Sequence, residues 1–264
     1  MGNDHPELKM MPLIIGPQRI SNPLYANMES VTVQYETEEG VIAPLLPEVY
    51  RPANDSLVTV AYSQSQGVDF MAGNGYRLLS VAVSAQYDGE MDHFEGDFVL
   101  VMFEDAAMPI ITGRELQGIP KIYADLSPVK TIGNKLLRCE VSLWGHFLMG
   151  INLELPLKRQ NAIVRRAANK ITSDRPVLGY KYIPSLDGLP DADYPTIFWS
   201  DYQIERLLFG KNGSVDFGNP REQDIGMFES VVDALKTLSI KKVVRTSRSM
   251  GSMIIRNDKC RRLK

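Results

Sequence analysis

What most limits this chain is that one strand-like run follows another with little helical sequence between them. Val31–Glu36, Leu57–Tyr62 and Leu78–Tyr87 alternate apolar and polar residues, the two-residue period of a half-buried strand. Phe98–Phe103 is apolar throughout, as a strand covered on both faces is. Leu136–Leu143 and Phe147–Leu155 have only Trp144-Gly145-His146 between them, which predicts a hairpin turning on Gly145. Tyr180–Ile183, Thr196–Trp199, Val243-Val244 and Met253–Ile255 complete the set. Strands that succeed one another without crossover helices predict an α+β or barrel-like fold on a mainly antiparallel sheet.

Three segments carry helical signals. Thr37 stands as an N-cap before Glu38 and Glu39, acids suited to a first turn. Gln160–Lys170 is polar and helix-prone. Ile225–Leu238 places Met227, Val231, Leu235 and Leu238 on one apolar face. There is no internal repeat, low-complexity tract or linker. Asp187–Pro195 is the most loop-like stretch. The expectation is one domain over 1–264, with an N-terminal arm at 1–24 and a basic tail at 257–264.

A chain of 264 residues, 44% of them hydrophobic, buries a core large enough to need no covalent staple. Cys139 and Cys260 are too few for a disulfide framework and suit a reducing, cytoplasmic setting. The apolar run Met10–Gly16 has no basic flank before it and contains Pro12, a poor signal peptide. Met1–Pro6 lacks the Ser or Thr of a myristoylation site. Phe98–Phe103 falls far short of the roughly 20 residues of a membrane helix, so no membrane partner is expected. The net charge of −3 hides an asymmetry: residues 241–264 hold nine Lys/Arg and one Asp, which leaves −11 elsewhere. Such a tail either binds anions or is a solvated terminus paired with acids. It lacks aromatics for base stacking, so no nucleic-acid partner is expected.

Most catalytic constellations are missing. His5, His93 and His146 are scattered, so no metal site is expected, and His93 lies in the acidic loop Glu90–Glu95. No phosphate loop, dinucleotide fingerprint or nucleophile elbow is present, and no cofactor is expected. Gly73-Asn74-Gly75 reads as a turn. One segment stands apart: Pro109–Asp125 sets Lys121 directly after Ile119-Pro120, with Ile122 and Tyr123 beyond. An apolar wall disfavours a charged amine, and a neutral amine attacks a ketone to form a Schiff base. Pro120 stiffens the approach to Lys121 and favours an extended Ile119. On the residues alone, a lysine after Ile-Pro is more often a surface or paired residue than a nucleophile.

Gly113-Arg-Glu-Leu116 followed by Pro120-Lys121 resembles the signature of the acetoacetate decarboxylase superfamily. Tyr35, Thr37 and Leu46-Pro-Glu48 resemble that family's first strand and following helix. Lys181-Tyr-Ile-Pro-Ser-Leu-Asp-Gly188 resembles its Lys-x-Ile-Pro-x-x-Asp-Gly stretch, and Val243–Ser247 with Ile254-Ile255 its last strands. The likeness spans residues 25–256. It implies a curved, mainly antiparallel sheet forming a cone or barrel with a few helices, a homo-oligomer, and a small keto-acid substrate. It also implies that Lys121 is the Schiff-base nucleophile, the familiar case of an amine activated by desolvation or a cationic neighbour.

The departures bear on the reaction. The family's second lysine is Ile122 here, the arginine before its first strand is Met28, and two glutamates fall at or near Ala61 and Asn74. Gln117 resembles a branch that joins pyruvate to aldehydes as an aldolase–dehydratase. It would bond the substrate carboxylate there, or else be a loop amide bonded to backbone. Arg114 and Glu115 either orient the substrate or pair as a scaffold for the loop. Arg77 is a candidate for the lost carboxylate-binding arginine, against a strand-edge surface residue. The expected activity is decarboxylation of a 3-keto acid through a lysine imine, with the pyruvate reaction as the alternative. A non-catalytic ligand-binding barrel is the rival class. The discriminator is whether an acid, Gln117 or a tyrosine hydroxyl stands within reach of Lys121.

Overall fold

The structure is a computed structural model that describes residues 8–15, 21–38 and 40–264. His5 and Glu39, and half of the expected N-terminal arm, lie outside the described residues. The first strands are Leu24–Glu36 (β1), Tyr50–Pro52 (β2), Leu57–Val68 (β3), Tyr76–Asp88 (β4), His93–Glu104 (β5) and Lys121–Tyr123 (β6). Asp125–Leu126 (β7), Lys130–Ile132 (β8), Leu136–Leu143 (β9), His146–Glu154 (β10) and Lys158–Arg159 (β11) follow. The last are Val177–Ile183 (β12), Ala192–Phe198 (β13), Ser200–Phe209 (β14), Gly213–Phe217 (β15), Lys242–Ile255 (β16) and Arg261–Arg262 (β17). The helices are Ala107–Thr112 (α1), Ala162–Asp174 (α2), Glu222–Ile225 (α3) and Glu229–Lys236 (α4).

Twelve strands form one sheet with the backbone order β11-β14-β16-β1-β3-β4-β5-β12-β13-β17, while β2 pairs with β4 and β6 with β5. A second sheet of five strands carries β15-β10-β9-β7, with β8 beside β9. Pairing is antiparallel except where β5 meets β6 and β12. The predicted hairpin joins β9 to β10, with Trp144 and Gly145 both at positive φ, the two-residue turn that matches strand twist. The main core lies between the sheets: Val33, Val60, Leu79 and Val81 meet Val141, Met149 and Ile151, with Val232 and Leu235 of α4 beside them.

The large sheet has to curl. The chain passes from β13 into β14 through Trp199 alone, yet these strands lie near opposite ends of the sheet order. The curved sheet expected from the sequence is therefore present, but no hydrogen-bonded ladder joins β13 to β14. Helix α2 packs along β14 instead and links it across to β5 and β4. Asn161 caps it, its Oδ1 accepting from the N–H groups of Ile163 and Val164 at 3.0 Å each. Along the edge of β14, Asn169 Oδ1 accepts from Ile204 N at 2.8 Å and Ser173 Oγ from Tyr202 N at 2.9 Å. Just past the helix, Arg175 reaches Asp97 of β5 at 2.7 Å and Ser84 of β4 at 2.9 Å. The edge is thus covered by side chains rather than by a strand. Replacing Asn169 and Ser173 together by Ala orphans two strand amides. It is expected to lower the unfolding free energy by about 1–3 kcal/mol, read by urea unfolding.

Two expected helices differ. Thr37 caps nothing: it is buried with Oγ1 unpartnered, and a short 3-10 turn forms later, at Ala43–Leu45. The helix expected at 225–238 is broken at Gly226, where φ is +61, so Met227 is exposed and the buried face belongs to Val232, Leu235 and Leu238. The basic tail is docked, not frayed. Arg261 grips Asp92 with two bonds of 2.7 Å, β17 pairs with β13, and Leu263 is buried.

Candidate active site

The segment after β5 turns on its own chemistry. Pro109 sits in the first turn of α1, where its missing N–H costs nothing. Gly113–Gln117 continues as a π turn, and Gly118, at φ +72, ends it. Lys121 N–H donates to the Ile119 carbonyl at 2.8 Å, a tight turn centred on Pro120. β6 then runs parallel to β5, with Met102 opposite Lys121.

That register decides what surrounds the lysine. Paired residues share a sheet face and successive residues alternate. Lys121 therefore lies on the face of Met102 and Glu104 and, through Ser80, of Ala61. Nζ accordingly stands 2.8 Å from Glu104 Oε1 and donates to the Pro109 carbonyl at 3.0 Å. Lys121 is 8% exposed and Glu104 0%. The approach to Glu104 is an ion-pair distance without the angles of a formed hydrogen bond, and neither carboxylate oxygen has another partner among the described residues. Burial pushes the Glu104 carboxyl above its ordinary range, and the Lys121 charge opposes that rise. Gly113 closes the lysine in from the other side: a Cβ there would lie 2.3 Å from Lys121 Cε.

Next to Glu104, Tyr25 and Tyr76 share a hydroxyl–hydroxyl bond of 3.2 Å. Burial raises both phenols, each is a bonded partner of the other, and the Glu104 charge adds to the rise. Tyr76 also lines a cleft of about 420 Å³ whose wall includes Asn74, Gln64, Arg77 and Asp105.

The other expected residues do not converge on the amine. Arg77 alternates with Tyr76 and Leu78 and so points to the opposite face, where it bonds Asp105 at 3.1 Å and Gln64 at 3.3 Å. Arg114 is exposed and donates to the Lys121 carbonyl at 3.1 Å; it forms no ion pair with Glu115. Glu115 is half-buried, without a hydrogen bond or ion pair among the described residues. Gln117 is buried, but its amide donates to Asn257 Oδ1 at 3.0 Å. Tyr123 is exposed, its hydroxyl on Asp125. Ile122 packs against the main core, on the face away from Lys121. His93 pairs with Asp88, and no cluster of three or more metal-ligating side chains occurs among the described residues. Burial pushes the Cys139 thiol up to about 12, which leaves it inert as a nucleophile. No helix among the described residues is long and apolar enough to cross a membrane.

The residue that the sequence reading missed is Glu104. Its signal was faint: an acid ending an otherwise apolar strand.

The acetoacetate decarboxylase family profile matches residues 10–259. The chain belongs to this family. An acetoacetate decarboxylase from Clostridium botulinum (strain Eklund 17B / Type B) is 26% identical over 182 residues, covering 66% of this chain and 64% of that relative. The chain thus matches just under two thirds of that relative's length. Among solved structures, the fold resembles acetoacetate decarboxylase from Legionella pneumophila, with a TM-score of 0.74 at 20% identity over 96% of this chain and 92% of that one. It also resembles the enduracididine biosynthesis enzyme MppR complexed with pyruvate, with a TM-score of 0.70 at 15% identity over 100% and 99% of the two chains. One family architecture therefore carries a decarboxylase and a pyruvate-binding biosynthetic enzyme.

Proposed function

We propose that this protein is a carbon–carbon lyase that condenses Lys121 with a small keto acid. The observation that carries this reading is the lysine itself: a single amine held at 8% exposure between Glu104, the Pro109 carbonyl and Gly113. A lysine serving only to neutralise a charge needs no glycine cleared for its stem. The acid within reach of Nζ supports catalysis over a passive binding barrel. Family membership supports the substrate class; the homo-oligomer and cytoplasmic setting are proposed with it.

In this reading Lys121 attacks the ketone, water leaves, and the protonated imine draws electrons from the neighbouring carbon. In the decarboxylase route the bond broken is that to the carboxylate, and the product is a ketone. In the pyruvate route it is a C–H bond, and the enamine adds to an aldehyde.

Borohydride reduction in the presence of acetoacetate or of pyruvate, followed by peptide mass mapping, tests the nucleophile. A reduced adduct on Lys121 is expected. With acetoacetate and carbon dioxide release it supports the decarboxylase; with pyruvate and no gas, the aldolase. An unmodified Lys121 with both ends the reading.

A further inference from the structure

Glu104 is an unusual neighbour for a Schiff-base lysine. Its side chain is fully buried, Oε1 stands 2.8 Å from the reacting nitrogen, and neither oxygen has a formed hydrogen bond among the described residues. A carboxylate kept merely as a counter-ion is normally held by further donors, because unmet buried acceptors are costly. Here the Lys121 ammonium is the one polar group the described residues set against it, and Oε1 faces the atom on which the imine forms. Other acids come no closer in function: Glu115 makes no bond among the described residues, and Asp105 is committed to Arg77.

We propose that Glu104 is the general base that removes a proton from the carbon next to the Lys121 imine and later returns one. The inference rests on the imine reading above. The position is suitable because that carbon is two bonds from Nζ, so an oxygen already beside Nζ needs little movement to meet it. Burial raises the carboxyl, the direction that makes its carboxylate a stronger base.

The protons balance. Lys121 enters as an ammonium and Glu104 as a carboxylate. Two of the three ammonium protons end on the departing water, and the third remains on the imine nitrogen. The carbon–hydrogen bond then breaks, its proton joins Glu104 as a carboxylic acid, and its electron pair becomes the enamine double bond. The imine π electrons return to nitrogen. Protonation of the enamine by Glu104 reverses the step.

Two consequences define the substrate class. It must carry a C–H bond beside the ketone. Its own carboxylate must lie away from Glu104, since two buried anions repel. Decarboxylation gives the enamine by losing carbon dioxide without a base, whereas enamine formation by C–H cleavage needs one, so Glu104 equips this site for carbon–carbon bond chemistry that begins at a C–H bond.

The test is hydrogen–deuterium exchange in D2O, followed by NMR of the methyl signal of pyruvate or acetone, whichever borohydride fixes to Lys121. Exchange is normalised to the fraction of enzyme trapped as imine. The wild type is expected to exchange. Glu104→Gln is expected to keep the imine and lose exchange by about 100-fold or more, the usual scale of general-base catalysis. Glu104→Asp, with a carboxylate on a shorter arm, is expected to fall between them, and serves alone if the Gln variant does not fold. Exchange per imine should rise with pH as the carboxyl ionises in the wild type and Asp variant, and lack that step in the Gln variant. Equal exchange per imine in every folded variant, with unchanged pH dependence, overturns the role of Glu104 while leaving the lyase reading intact. No imine in the wild type overturns both.

Discussion

Lys121→Met is expected to abolish borohydride trapping and also to destabilise the fold by about 3–5 kcal/mol at neutral pH, the usual cost of removing one member of a buried ion pair. The cause is Glu104, fully buried and left without its cation. The pH dependence carries a definite sign. Burial already raises the folded carboxyl above its unfolded value of about 4.3, and loss of Lys121 raises it further. The folded state then holds a proton that the unfolded chain has released. Stability is therefore complete below the unfolded value and falls as pH rises through the folded one. Urea unfolding at pH 4.5 and pH 8 should show the deficit shrinking in acid. Adding Glu104→Leu should remove both the deficit and its pH dependence, because an apolar pair fills such a site without desolvating a charge. A single Met variant with the same stability at both pH values would contradict the buried pair.

Gly113→Ala is expected to damage the chemistry through the position of Lys121 rather than its presence. Gly113 has an ordinary helical φ of −68, so alanine meets no backbone strain there and gains up to about 1 kcal/mol of helix propensity. The new methyl falls 2.3 Å from Lys121 Cε and 2.7 Å from Nζ. The flexible stem moves aside, and the amine leaves its place beside Glu104 and Pro109. Displacement by about 1 Å costs on the order of 100-fold in a positioned reaction. Trapping rates should fall by that factor, and the urea midpoint should fall as well, by less than in Lys121→Met, because Glu104 is left with a poorly placed cation. Full trapping would mean that Lys121 works from another position.

The strands were legible because each buried face repeats every second residue, as in Val31, Val33 and Tyr35. The break at Gly226 was not, since four apolar residues at helical spacing describe one face whether or not the backbone is continuous. The curl was not either: it follows from β13 and β14 joining distant ends of one sheet, a relation between far segments. The site divides in the same way. Lys121 was visible through its signature, which is local in sequence. Glu104 lies 17 residues earlier and becomes its neighbour only when β6 pairs parallel to β5. Arg77 does not share a face with Lys121 for want of one parity: it alternates to the opposite side of the sheet.

The use of α2 to bridge the open edge has a geometric consequence. In a barrel sealed by strand ladders, strand number and shear together fix the girth, and it changes only in whole steps. Here the circuit is completed by Asn169 and Ser173 on one side and Arg175 on the other. A longer or shorter side chain at those three positions adjusts the circumference by fractions of a strand spacing and leaves every strand register as it stands. The width of the sheet's inner face is thereby separable from its hydrogen-bonding pattern, and can change without refolding the wall that holds Lys121.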